Sequence, residues 1–160
     1  MNTKGIINEQ GFPIVNRPGS IAILIDCWKS SEDNATRLYY NIKSFLEREK
    51  YISNIVIASY DNYPTDERIL SINKNKLITQ ELDDVQKLIT RLSIKHVYML
   101  GASWTYCVKH RPLGFLKVST IPDIKILTIS NCVQELGNEV NFSTETEWIK
   151  LRDKVFLYNN

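Results

Sequence analysis

Five apolar residues in a row, Ile21–Ile25 (IAILI), stand between Gly19 and Asp26. A strand with one wet face alternates apolar and polar residues. A β-branched run without alternation is how a strand buried on both faces looks. The same signal returns at Ile55–Ser59 (IVIAS), at Val97–Leu100 and at Lys125–Ile129 (KILTI). Between these runs the apolar spacing turns helical. Leu38, Ile42, Phe45 and Leu46 mark a helix over Ala35–Lys50, capped by Asp33 or Asn34. Leu82, Val85, Leu88, Ile89 and Leu92 mark a second helix beginning at Thr79. Strands alternating with helices of this length form βαβ units, whose parallel sheet has both faces covered. Right-handed crossovers then give an α/β fold: a Rossmann-like, three-layer α/β/α sandwich with a mostly parallel open sheet.

The remaining segments are less regular. Residues 1–19, with Gly5, Gly11, Pro13 and Pro18, read as an irregular lead-in packed on the body by Phe12, Ile14 and Val15. Arg68–Ile78 reads as a short strand at Ile69–Ile72 followed by a loop carrying Lys74 and Lys76. Thr144–Arg152 reads as a short helix and Val155–Tyr158 as a last strand. No linker divides the 160 residues, so 1–160 is expected to be one domain. The net charge of +2 argues neither for nucleic acid nor for an anionic membrane as partner. The cysteines are Cys27, Cys107 and Cys132, an odd number with no CxxC, so a disulfide framework is not expected. A reduced intracellular setting is the simpler reading. Ile21–Ile25 is too short for a signal or membrane segment, and the expected location is the cytoplasm.

Ligands of open parallel sheets sit beyond the carboxyl ends of the strands, where the strand order reverses. That rule selects Asp26–Lys29, Tyr60–Tyr63 and Gly101–Cys107. Asp26 is either a loop carboxylate capping a turn or a general base held by the sheet. Cys107 is either a buried, inert thiol or a nucleophile at a helix start, where unpaired N–H groups favour a thiolate. A thiol nucleophile needs a nearby base, so each strengthens the case for the other. Cys27 and Cys132 read as structural. Lys74 and Lys76 are either solvated loop lysines, or one of them reaches the strand ends. Trp28, Tyr60, Tyr63, Trp104 and Tyr106 either anchor loops in the core or wall a pocket for a planar ligand. The only histidines, His96 and His110, form no HxH or HExxH pattern, so no metal is expected. GxGxxG and GxxxxGK[ST] are absent, and no cofactor is expected.

Three features resemble the isochorismatase-like cysteine hydrolases, which include nicotinamidases, carbamoyl-amide hydrolases and isochorismatases. They are the strand ending in aspartate (ILID, Ile23–Asp26), the run GASWTYCV at Gly101–Val108, and the interval from Cys107 to the KILTISNCV strand end. Arg111-Pro112-Leu113-Gly114 resembles a branch with Arg-Pro-x-Gly soon after the cysteine. The resemblance covers roughly Ile21 to Gly137. It implies an Asp–Lys–Cys triad: Asp26 as base, Cys107 as nucleophile, and Lys74 or else Lys76 as the cation. It also implies a non-proline cis peptide at Ala102–Ser103, aiming the backbone N–H of Ser103 and of Cys107 at an oxyanion. Ala102, Ser103, Trp104, Trp28 and Tyr60 then become the substrate-binding set. The implied substrate is a small amide or related C–N compound, or a vinyl ether. The family, together with Phe115, Leu116 and Val118 read as apolar surface, implies a homo-oligomer. Asp61 matches the nicotinamidase metal aspartate, but no histidine follows it, so the metal site is not implied. The alternative is a catalytically inactive binding or assembly module that keeps the fold.

Overall fold

The structure, a computed structural model, describes residues 6–7, 19–58, 62–135, 137–138, 140 and 155–158. Tyr60, the packing of Phe12, Ile14 and Val15, and the helix read at Thr144–Arg152 lie outside the described residues.

The apolar runs do become strands. In chain order the elements are β1 (Ile6–Ile7), β2 (Ser20–Ile25), α1 (Asp33–Arg48), β3 (Ile52–Ala58), α2 (Glu67–Leu70), β4 (Asn75–Thr79) and α3 (Leu82–Leu92). Then come β5 (His96–Ala102), a π-helical turn (Trp104–Val108), α4 (Phe115–Val118), β6 (Lys125–Ile129), a 3-10 turn (Ser130–Cys132), β7 (Val133–Gln134) and β8 (Val155–Tyr158). The sheet order is β1-β8-β6-β5-β2-β3-β4, and every described pairing is parallel except β1 with β8. The chain builds outward from β2 through β3 to β4. It then returns to the other side of β2 as β5 and builds the opposite way. The order therefore reverses between β2 and β5.

Alternate residues of β2 feed two cores. Ile21, Ile23 and Ile25 pack with Val85, Leu88 and Ile89 of α3 and with Phe115 and Val118 of α4. Ala22 and Leu24 face the other way, onto Leu38, Ile42, Phe45 and Leu46 of α1. Both faces of β2 are thus dry, which is why its sequence shows no alternation. Each fully buried Ile or Leu contributes about 2 kcal/mol relative to an exposed one. Phe115 and Val118, read above as apolar surface, are fully buried core residues, so they argue for no subunit contact. The periodicity around them comes from α4 packing onto its own sheet. Among the described residues no helix is long and apolar enough to cross a membrane.

One stretch folds otherwise than its sequence suggested. The strand expected at Ile69–Ile72 is replaced by the helical turn α2, and the expected lysine loop contains strand β4. Asp66 caps α2 by accepting the Arg68 N–H at 2.9 Å, and Ile69 and Ile72 bury at a spacing of three. β4 is an edge strand with no fully buried residue, so it shows no apolar run. The first helix starts after Glu32, which makes no side-chain cap, so neither Asp33 nor Asn34 caps it.

Candidate active site

The β2–β5 junction is closed by a glycine. Gly101 pairs with Ile25, with φ +124°. A Cβ on Gly101 would lie 2.1 Å from the Ile25 carbonyl oxygen, so only glycine lets the two strand ends lie side by side. Directly beyond Ile25, Asp26 takes a left-handed φ of +50°, which aspartate tolerates better than most residues. Beyond Gly101 and Ala102 the chain passes through the cis Ala102–Ser103 peptide, at the position the resemblance implied. It then winds into the π-helical turn WTYCV, in which the Val108 N–H reaches the Ser103 carbonyl at 2.9 Å. Cys107 lies on this turn, half-buried. Such turns recur at functional sites.

Asp26 and Cys107 meet. The Asp26 side chain is 2% exposed, and its Oδ2 accepts Arg111 Nε at 3.0 Å. The Cys107 thiol donates to the same carboxylate. Burial pushes the Cys107 thiol up, and the Asp26 hydrogen bond and negative charge push it further. A backbone hydrogen bond from Ser103 and the positive charge of Arg111 pull it down. The balance is a protonated resting thiol, not the preformed thiolate expected from a helix start.

The cation beside Asp26 is Arg111, not a lysine. Lys74 donates to the Glu49 carbonyl at 2.9 Å, and Lys76 to the carbonyls of Ile72 and Lys74. Register shows how far away they are. Lys76 pairs with Ile55, which pairs with Ala22, four residues before Asp26 on β2. That is ~13 Å along the strands and two strands across, with Lys74 further still. Both belong to the amino edge of the sheet, and Asp26 and Cys107 to the carboxyl edge. β4, an edge strand without an apolar run, fixes both lysines at that edge. A signal for Arg111 was present: it follows Cys107 by four residues, and its N–H bonds the Cys107 carbonyl at 3.1 Å. Residues at that spacing share a helix face.

The other expected site residues divide. Ala102 and Ser103 lie beside Cys107 at the end of β5. The Cys107 N–H, expected to hold an oxyanion, donates instead to the Ser103 carbonyl at 2.8 Å, because it is spent inside the turn. Trp104 is 1% exposed and stacks on Phe115 at 4.8 Å, so it belongs to the core and not to a substrate pocket. Trp28 does reach the site. It lies under the Arg111 guanidinium, 5.9 Å from carbon to ring centre, and stacks on Tyr63 at 4.3 Å. Its Nε1 and Asp26 Oδ1 are both buried without a hydrogen-bond partner. Tyr63 and Tyr106 are half or more exposed.

Two loops hold Trp28 there. The Lys29 N–H donates to Pro64 and the Asp66 N–H to Cys27, each at 2.9 Å, and Trp28 bridges to Thr65. Asp66 in turn grips Arg68 through Nε at 2.8 Å, and Arg68 donates to the Ser30 carbonyl at 2.7 Å. Those bonds hold the Asp66 carboxyl down at about 2, chiefly through the Arg68 side chain and against its own burial. Cys27 and Cys132 are buried, and burial pushes both thiols far up, which keeps them neutral. Among the described residues, no three His, Cys, Asp or Glu side chains gather as a metal would require.

Glu135 went unnoticed in the sequence. β7 lies along Gly101 and Ala102, where β6 has left β5, and this brings Glu135 to the turn. Its Oε1 accepts Ser103 Oγ at 2.9 Å, and its Oε2 accepts the Thr105 N–H at 2.6 Å as well as the Thr105 hydroxyl. No local pattern announces a contact made 30 residues away.

Comparison of the chain with protein-family models, with curated proteins and with solved structures finds no match.

Proposed function

We propose that this chain is a cysteine hydrolase of isochorismatase-like type, with Arg111 in the role that the family gives to lysine. One observation carries the reading: at the reversal point of the sheet, one buried carboxylate, Asp26, engages both the Cys107 thiol and the Arg111 guanidinium. Because the resting thiol is protonated, Asp26 takes its proton as the substrate is attacked. The sulfur bonds to the amide carbon, and the carbonyl electrons move onto its oxygen. Collapse of that oxyanion breaks the C–N bond, and Asp26 returns the proton to the leaving amine. Water, deprotonated by Asp26, then cleaves the thioester and restores the thiol. Arg111 orients the carboxylate through its hydrogen bond, and its positive charge favours the thiolate. The Trp28–Tyr63 stack suits a small planar amide or a related C–N or vinyl-ether substrate.

Two observations favour the second reading, a binding module without catalysis. Both lysines lie at the far edge, and the Cys107 N–H is already used. A panel of small planar amides, ureido acids and a vinyl ether separates the two. The catalytic reading expects turnover that Cys107→Ala abolishes and Arg111→Met lowers about 100-fold, the scale of losing one charge-stabilising group. Ligands that bind wild type and Cys107→Ala alike, with no turnover by either, would give the chain to the second reading.

A further inference from the structure

We infer that Glu135 is a positioning residue for Cys107: by holding Ser103 and Thr105 it keeps the Ser103 amide on the cysteine sulfur. The inference rests on the reading of Cys107 as the reacting group. Its physical basis is a chain of contacts. Both carboxylate oxygens of Glu135 are occupied, one by Ser103 Oγ and one by the N–H and hydroxyl of Thr105. These two residues flank Trp104, the first residue of the turn that carries Cys107. Ser103 touches Cys107 twice: its carbonyl accepts the Cys107 N–H, and its backbone also hydrogen-bonds the sulfur. Glu135 is itself fixed by reciprocal backbone bonds with Asn138 at 2.8 and 2.9 Å. The preceding residue, Gln134, is tied to the Asn34 carbonyl at 3.0 Å. The carboxylate is therefore a fixed post, and the segment leaving β5 hangs from it. The charges nearest the thiol in effect are those of Asp26 and Arg111.

A charge and a post predict opposite signs. Were Glu135 a charge acting on the thiol, removing it would ease thiolate formation and speed alkylation at a fixed pH. As a post, its removal frees Ser103, the sulfur loses a donor, and alkylation slows. The experiment is iodoacetamide labelling of the full chain across pH, followed at the Cys107 peptide by mass spectrometry. Glu135→Ala is expected to label about fivefold more slowly than wild type below the midpoint, which is the worth of one lost hydrogen bond. Glu135→Gln, which keeps one acceptor, should recover part of the rate. Ser103→Ala, which removes a single bond to Glu135, serves if Glu135→Ala does not fold, and should slow labelling by a smaller factor. An unchanged profile in Glu135→Ala, or equal acceleration in the Ala and Gln variants, would overturn the inference. Alkylation needs no substrate, so this result stands or falls apart from the amide panel that tests hydrolysis.

Discussion

Gly101→Ala is the sharpest test of how the site is built. The glycine combines φ +124° with a 2.1 Å approach of any Cβ to the Ile25 carbonyl oxygen, well inside the 3.0 Å that real Cβ atoms respect. Forcing a side chain into positive φ costs about 1–3 kcal/mol. Parting two packed strands by about 1 Å adds a further 1–3 kcal/mol or so, as for other overpacked cores. The sum is about 4 kcal/mol, a large share of the ~5–15 kcal/mol that holds a domain folded. Gly19→Ala is the control. It also has positive φ, +86°, but its Cβ would meet its nearest atom, the Ser93 oxygen, at 3.1 Å. It should therefore lose chiefly the strain, about 1–2 kcal/mol, the Ser93 oxygen needing to give by only a few tenths of an ångström. Urea unfolding followed by tryptophan fluorescence measures both. Equal losses in the two variants would refute the close approach of β5 to β2, and with it the placement of Asp26 beside Ser103 and Cys107.

Asp26→Asn should move reactivity and catalysis in opposite directions. Asp26 raises the Cys107 thiol through both a hydrogen bond and its charge, so the variant's alkylation midpoint should fall to lower pH while the proposed amide hydrolysis should be lost. A midpoint that stays put would separate the carboxylate from the thiol. Asp66→Asn should show a pH signature in stability. Its carboxyl is held near 2 against an ordinary 3.8, so the pairing stabilises the fold above pH ~4 and is lost as pH falls toward 2. With Arg68 partly solvated, the wild-type advantage at pH 7 should be about 1–2 kcal/mol, vanishing near pH 2. Urea titrations at both pH values that show the same difference would refute it.

The layers of the fold and the two ends of the site were legible in the chain itself. A strand dry on both faces must be apolar throughout, so β2, β3, β5 and β6 are visible as runs. Asp26 is visible as the first residue past one run, and Cys107 as a thiol shortly after another. β4 escaped because an edge strand buries too little to need an apolar run. Without a visible strand there, nothing in the sequence ties Lys74 and Lys76 to either end of the sheet. Register alone sent them to the amino edge. The cation at the site is local in sequence, four residues after the cysteine, yet only the turn's geometry decides that Arg111 and not another basic group meets Asp26. Glu135 and the burial of Trp104 had no local signal at all. Local pattern reports how much of a residue's surroundings are dry. Which side chains meet across the sheet's carboxyl edge depends on pairing between distant segments, and that is settled only when the strands dock.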